Sequence, residues 1–500
     1  LKGLFHFDAV EPILVCESVR GLAMADLLRA RDAVTRADLV ELRLDGVPQP
    51  DPVAAIAGRR LPAVVTCRPR WEGGAFDGDE ATREAWLDVA LRAGAEFVDV
   101  EWRAPWRAGF LSRWPGRVVL SWHDFEGTPP DLVRQAGEMA AAGAAVVKVA
   151  VMTWRLRDLE PLFTLRRAFG PATRAVVIGM GAAGAVTRIL PHRFGSAWTY
   201  AGDGVAPGQL STSRLVQEFR VRATTPGTAI FGVVGPAAGA LPATALHNAA
   251  FATRGIDAVC VPFETGDFED FVAIAERLDI AGASVTHPLT AAARQTAVRA
   301  DAEAVRTGTA DGVRREADGT WVAANAEVEA FLAPLAGQPL AGARAAVLGS
   351  GPGARAAVAG LAARGAVVAV YDAAQPEAAQ DVAEQYGGEA GTWPPELGAW
   401  DLLVNTTDPA EHDRPAVEAS IVHGGLVYDL VCDLEPSRLM AAAADRGCRT
   451  VGGLETLVAH TARQFEWWTG QPAPTDVMRA AALQRLAEIR AARARTMAER

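Results

Sequence analysis

Lys148 stands in a β-branched run, Val146-Val147-Lys148-Val149-Ala150, and the chain has only one other lysine, Lys2. The remaining cationic side chains are arginines, which serve as well as lysine at most solvated sites but cannot form an imine. A lysine kept alone in an apolar strand therefore points to covalent chemistry on a carbonyl, because desolvation favours the neutral, nucleophilic form of an amine. His123, in Ser121-Trp122-His123-Asp124-Phe125, is expected to titrate near neutrality. It could remove a proton beside an iminium and return it to a leaving hydroxyl. Arg188 and Gln209 suit a substrate carboxylate, arginine through a bidentate fork. Such a reaction calls for no metal and no organic cofactor.

These residues need a scaffold that brings distant segments to one place. Short apolar runs at Ile13–Cys16, Leu39–Leu44, Ala63–Cys67, Phe97–Val100, Val118–Trp122, Val146–Val149, Ala175–Ile178 and Ala197–Tyr200 alternate with helical stretches such as Ala81–Ala93 and Pro130–Ala142. Eight β/α units over residues 10–219 predict a (β/α)₈ TIM barrel, whose chemistry sits at the C-terminal ends of its strands. Polar residues crowd those ends: Glu41, Arg43 and Asp45; Arg68 and Glu72; Asp99 and Glu101; His123; Lys148; Arg188; Gln209. Taken singly, a Glu-x-Arg-x-Asp strand is a structural ion-pair ladder and a histidine after a strand is a packing residue. Charged groups capping five or six strands of one barrel together point to a site.

The strings ELRLD, CRPRWEGG, DVEW, SWHDF, VKVAVM, MG…G…TR and APGQ occur in order over residues 10–215. In this the segment resembles type I 3-dehydroquinate dehydratase, which eliminates water from 3-dehydroquinate through a Schiff base. The resemblance implies Lys148 as the imine former, with His123 and Glu101 completing the catalytic set. It implies that Glu41, Arg43, Arg68, Glu72, Asp99, Arg188 and Gln209 hold the substrate or orient the catalytic pair. Two positions depart from the family pattern, Val205 in place of a serine and Met180-Gly181 in place of Met-Ser. The first removes one substrate hydrogen bond, worth about 1 kcal/mol. An aldolase-like barrel is the alternative for a Schiff-base lysine; His123 and the Arg188/Gln209 pair favour the dehydratase. A homodimer is a further expectation from the family.

Residues 220–228 form a linker candidate, after which a new α/β pattern begins. The stretches FGVVGP…LHNAAF, GASVTHP, VLGSGPGARAAV, DLLVNTT and GGLETLVAHTARQFEWWTG resemble shikimate dehydrogenase, which is fused to the dehydratase in known bifunctional enzymes. This implies a substrate domain at 229–337, completed by helices in 455–500, around a Rossmann-like domain at 338–454. Gly349, Gly351, Gly353 and Ala354 fit a glycine turn at a helix N-terminus, with Asp372 at the end of the next strand and Asn405 after the one beyond. NAD or NADP is the expected cofactor, and Asp372 favours NAD because a carboxylate repels a 2′-phosphate. The family's catalytic residues are replaced: its lysine position is Thr290, its Asn-Thr-Asp motif is Asn325-Ala326-Glu327, and its final-helix glutamine is His460. The expectation is a degenerate dehydrogenase site, the losses together costing more than about a hundredfold. Three readings of this half stay open: a dehydrogenase of another substrate using His287 or Glu327, a non-catalytic module, or retained shikimate dehydrogenase activity.

Composition narrows the field. With 49 basic and 60 acidic residues and a net charge of -11, a general nucleic-acid or polybasic membrane role is not expected. No apolar run reaches the ~18 residues of a membrane span. The five cysteines show no zinc spacing, so reduced thiols in a cytoplasmic enzyme on small-molecule substrates are the expectation.

Overall fold

The computed structural model describes residues 12–169, 173–202, 207–407 and 422–498. Eight parallel strands open the chain: β1 (Leu14–Arg20), β2 (Leu39–Arg43), β3 (Ala63–Thr66), β4 (Phe97–Glu101), β5 (Val118–Asp124), β6 (Val146–Met152), β7 (Arg174–Met180) and β8 (Trp198–Ala201). Neighbours in sequence pair in parallel, β8 returns to β1, and a parallel bridge between Ala175 and Ser196 links β7 to the segment before β8. All eight predicted strands are present, and the sheet forms the expected barrel. Strands buried on both faces read as near-continuous apolar runs, which is why β6, with all seven residues buried, announces itself as Val-Val-Lys-Val-Ala-Val-Met. The barrel floor is apolar: Leu39, Val64, Val119, Val146, Val176 and Trp198 pack as one cluster.

The chain divides into two compact units. One runs to Gly239 and includes Asp257–Ile280; the other comprises Ala240–Ile256 and the chain from Ala281 onward. The first unit thus carries, beyond the barrel, the parallel pair β9 (Ala229–Gly235) and β10 (Ala258–Glu264) and the helix Phe268–Leu278. That helix fixes the loop leaving β6. The buried Asp270 carboxylate accepts the backbone N–H of Leu156 at 2.8 Å and of Arg157 at 2.9 Å, and Arg157 Nε at 2.9 Å.

In the second unit, β11 (Ile280–Val285) pairs antiparallel with β13 (Gly312–Arg315). The latter pairs with β14 (Trp321–Ala324), which takes the short β12 (Arg299–Ala300) in parallel. A second sheet is wholly parallel: β15 (Arg344–Leu348), β16 (Val367–Tyr371), β17 (Glu389–Ala390), β18 (Leu402–Asn405), β19 (Leu426–Asp429) and β20 (Arg449–Gly452), in the order β17-β16-β15-β18-β19-β20. Taking β15 as the first strand, that order is 3-2-1-4-5-6, the doubly wound arrangement whose ligands bind where the order reverses, above β15 and β18. Two long helices, Gly453–Thr469 and Thr475–Ala498, close the unit. No helix among the described residues is long and apolar enough to cross a membrane.

Asp270→Ala would leave the Leu156 N–H buried without its acceptor. It should destabilise the first unit by about 2–4 kcal/mol, read as a lowered urea midpoint; an unchanged midpoint would show that this anchor carries no stability.

Candidate active site

Strand register assembles the barrel site. Ser18 lies opposite Glu41, Glu101 opposite Ser121, and Ser121 opposite Lys148, so their inward side chains meet near one level. Lys148 is buried; its Nζ lies 3.2 Å from Asp99 Oδ2, 3.5 Å from Glu41 Oε1 and 4.2 Å from the centroid of the Tyr200 ring. Glu41 is held from both sides, by Ser18 Oγ at 2.6 Å and Thr66 Oγ1 at 2.8 Å.

Arg68, just beyond β3, is the hub of the charged residues beneath the cavity. Its guanidinium reaches Asp99 Oδ1 at 2.8 Å, Glu101 Oε1 at 2.9 Å, Ser121 Oγ at 2.8 Å and, more loosely, Glu72 Oε1 at 3.5 Å. Glu101 also pairs with Arg83, which the helix Glu80–Arg92 delivers from outside the sheet. Burial pushes the Asp99 carboxyl up, but Arg68 and Lys148 outweigh it and hold this group below the usual range. Glu101 moves the other way, raised by burial despite its two arginines. Gly74 fits because a Cβ there would stand 2.0 Å from the Arg68 carbonyl oxygen, so the loop after Arg68 can fold tightly onto the strand end.

His123 Nδ1 lies 2.9 Å from Glu72 Oε1, which also accepts the His123 backbone N–H at 3.1 Å. Burial holds the imidazole well below its usual value, and the charges of Arg68 and Lys148 act in the same direction. Burial pushes Glu72 up to about 8. The ring therefore does not titrate near neutrality as expected from sequence. At pH 7 this is a neutral imidazole beside a protonated carboxyl, because burial disfavours the charged form of each.

The remaining cavity residues differ in how free they are. Arg43 is tied to Asp45 by two bonds of 2.8 Å. Arg188, from the helix Ala185–Ile189, is 2 % exposed and contacts only the Pro207 carbonyl, at 3.3 Å; among the described residues no carboxylate pairs with it and its Nε has no partner. Burial lowers its guanidinium to about 10. A buried, uncompensated cation at a cavity wall is a receptor for an anion. Gln209 donates to the Ala201 carbonyl at 2.9 Å. Glu41, Arg43, Arg68, Glu72, His123, Lys148, Arg188 and Gln209 line one cavity with Ser18, Phe125, Met180 and Tyr200. Asp99 and Glu101 lie behind its wall, so Glu101 touches arginines rather than the reacting space. Val205 falls outside the described residues. Sequence reasoning passed over Ser18, Tyr200 and Arg83. Ser18 and Tyr200 were legible as inward strand positions, whereas nothing local marks Arg83.

In the second unit a cavity of about 740 Å³ brings Thr290, Asn325 and Glu327 together with Gly349, Gly351, Gly353 and Asp372. Gly349 has φ +102, and a Cβ on it would meet Thr406 Oγ1 at 2.7 Å. Gly351 caps the helix Pro352–Ala363 with open space where a side chain would be, leaving first-turn N–H groups toward the cavity. Asp372 accepts Ser350 Oγ at 2.7 Å and caps the amides of Ala374 and Gln375. A dinucleotide phosphate and ribose fit this turn. Two expected cofactor residues lie elsewhere: Ala354 is buried in the helix core, and Asn405 is bonded to Asp429 at 2.9 Å beneath the turn. Thr290 is buried at the cavity wall. Asn325 Nδ2 is committed to Thr307 and Thr309. His460 does not line the cavity but pairs with Asp311, a residue that sequence reasoning missed, at 3.0 Å.

Proton linkage predicts a signature for the first site. Glu72 is protonated in the folded state up to about 8 but ionises near 4.5 when unfolded, so the unfolded state binds fewer protons between those values. That group's contribution to stability therefore falls as pH rises across the window. Glu72→Gln should flatten the decline in urea stability from pH 5 to 8; an identical slope would contradict the neutral pair.

The type I 3-dehydroquinase family model matches residues 15–226, the shikimate dehydrogenase substrate binding domain 237–313, and the shikimate 5′-dehydrogenase C-terminal domain 462–483. A 3-dehydroquinate dehydratase of Desulfotalea psychrophila is 34 % identical over 40 % of this chain and 94 % of its own length. A shikimate dehydrogenase (NADP(+)) of Synechococcus sp. is 31 % identical over 52 % of this chain and 96 % of its own. The chloroplastic bifunctional 3-dehydroquinate dehydratase/shikimate dehydrogenase of Arabidopsis thaliana is 30 % identical over 94 % of this chain and 84 % of its own length. The chain belongs to this family of bifunctional 3-dehydroquinate dehydratase/shikimate dehydrogenases, and its first half is a type I 3-dehydroquinate dehydratase.

Proposed function

We propose that the barrel dehydrates 3-dehydroquinate to 3-dehydroshikimate through an imine on Lys148. The observation that carries this is one cavity holding the buried Lys148 amine, a neutral His123 and Arg188, which has no carboxylate partner among the described residues. Arg188 and Gln209 receive the substrate carboxylate. The amine attacks the ketone and expels its oxygen as water, leaving an iminium. His123 Nε2 takes the proton from the adjacent carbon as the electron pair moves into the iminium. The same proton then goes to the leaving hydroxyl, so the ring returns to its neutral state, and water hydrolyses the conjugated iminium to free the product ketone and the Lys148 amine. Glu72 steadies the transient imidazolium through Nδ1, and Arg68, with Glu101 and Arg83 behind it, holds Asp99 beside the lysine.

The family supports the bifunctional reading above the expectation of a degenerate second half, and we propose that this half is a dehydrogenase of shikimate. A nicotinamide dinucleotide bound here would supply the hydride acceptor for oxidation of the substrate's carbinol. The glycine turn at 349–353 would hold its phosphates, and Asp372 the adenosine ribose. The named relative takes NADP(+); Asp372 favours NAD here.

Sodium borohydride with 3-dehydroquinate should attach the substrate carbon skeleton to Lys148 by mass spectrometry, and Lys148→Arg should lower turnover by more than about a thousandfold while the barrel stays folded. An active, unlabelled variant would end the imine reading. In fluorescence titrations NADH should bind at least about tenfold more tightly than NADPH, as a carboxylate facing a 2′-phosphate requires; the reverse order would remove Asp372 from the ribose site.

A further inference from the structure

We infer that Arg83, on a helix outside the barrel sheet, is a positioning residue for the dehydration: it fixes Glu101, and through Glu101 the Arg68–Asp99 pair that faces Lys148. This rests on the dehydratase reading above. Arg83 does not line the cavity, so it acts on the reaction only through its neighbours.

The Arg83 side chain is fully buried, and its plane is set before it reaches the barrel. Asp79 caps the helix Glu80–Arg92 by accepting the Thr82 N–H at 2.8 Å, which puts Arg83 at the end of the first turn. Glu80, three residues earlier, takes Arg83 Nη2 at 2.6 Å and Nε at 3.2 Å. The same carboxylate accepts the indole N–H of Trp106 at 2.9 Å and of Trp71 at 3.4 Å. The centroids of those two rings lie 4.9 and 5.8 Å from the guanidinium carbon. Cation–π attraction and the Glu80 fork together hold the group in one orientation. Its Nη1 is then left to pair with Glu101. Glu101 gives its other oxygen to Arg68 Nη1 at 2.9 Å, Arg68 Nη2 holds Asp99 at 2.8 Å, and Asp99 reaches Lys148 Nζ at 3.2 Å. Every group between the outer helix and the amine is buried and held on both sides, so none can move without losing a buried partner.

Glu101 is the link most sensitive to the loss of Arg83. Facing it are Arg68 and Glu72 from the loop after β3, Cys67 before them, Asp99 on its own strand, Ser121 on β5 and Arg83 from the helix, with Glu80 behind Arg83. Burial raises the Glu101 carboxyl, Arg68 and Arg83 oppose the rise, and Asp99 adds to it. With Arg83 removed, one guanidinium would serve both Asp99 and Glu101, and Glu101 would take up a proton at a higher pH than in the wild type. A neutral carboxyl holds Arg68 more weakly than a carboxylate does. Arg68, Asp99 and the lysine amine would then lose their set distances.

The test uses the full chain with 3-dehydroquinate. Arg83→Met should lower kcat at pH 7 by about tenfold to a hundredfold, with KM within about threefold, as misplacement of a reacting group without loss of substrate contacts requires. The ratio of variant to wild-type kcat should rise between about pH 6 and 9 as Glu101 regains its charge. Arg83→Lys keeps the charge without the planar fork; it should recover part of kcat and flatten that ratio. The double variant Arg83→Met/Glu101→Gln should be no slower than Glu101→Gln, because both changes break the same link. It also removes a buried charge together with its partner, so it decides the matter even where Arg83→Met alone fails to fold. Wild-type kcat in Arg83→Met, a ratio independent of pH, or a further loss of about tenfold in the double variant beyond Glu101→Gln overturns the assignment alone. A wild-type chain that turns over 3-dehydroquinate with no borohydride-trapped Lys148 overturns the imine reading and the role of Arg83 with it.

Discussion

The barrel site depends on one buried guanidinium. Arg68 pairs with the carboxylates of Asp99 and Glu101, both from β4, and touches Glu72 more loosely in its own loop. Unpaired, each would carry a desolvation penalty of several kcal/mol. Bound to one planar fork, they form a rigid layer beneath the cavity. Asp99 then presents its second oxygen to Lys148, so the lysine's position follows from the arginine's. Charge that would be a liability in an ordinary core becomes a means of fixing a reactive amine.

Around that layer burial divides the ionisable groups by role. Asp99 stays ionised because two cations touch it, whereas Glu72 and His123 lose charge because their surroundings favour the neutral forms. Arg188 is buried and has no carboxylate partner among the described residues.

The second unit handles charge differently. Its glycine turn offers backbone N–H groups at a helix end instead of cationic side chains, and its polar wall is built on a histidine–aspartate couple. Thr290 stands where the resemblance to shikimate dehydrogenase leads one to expect a lysine. The expectation of a degenerate site came from several replaced positions together, Thr290, Glu327 and His460 among them; membership of the bifunctional family supports the alternative of an active one.

Much was legible in the sequence. Eight strands could be placed because parallel strands buried on both faces must be apolar throughout, and a charged residue inside such a run marks the site. Lys148, His123 and Arg188 followed from residue type at strand ends, and the glycine turn from its place between a strand and a helix. The sequence could not show that His123 is neutral, that Glu101 faces arginines, or that Asp311 meets His460. Those facts depend on which distant side chains share a dry volume. Local pattern dictates backbone path and the side a residue faces. Protonation and pairing depend on the distance between charges and on their access to water, and only the assembled tertiary structure decides these.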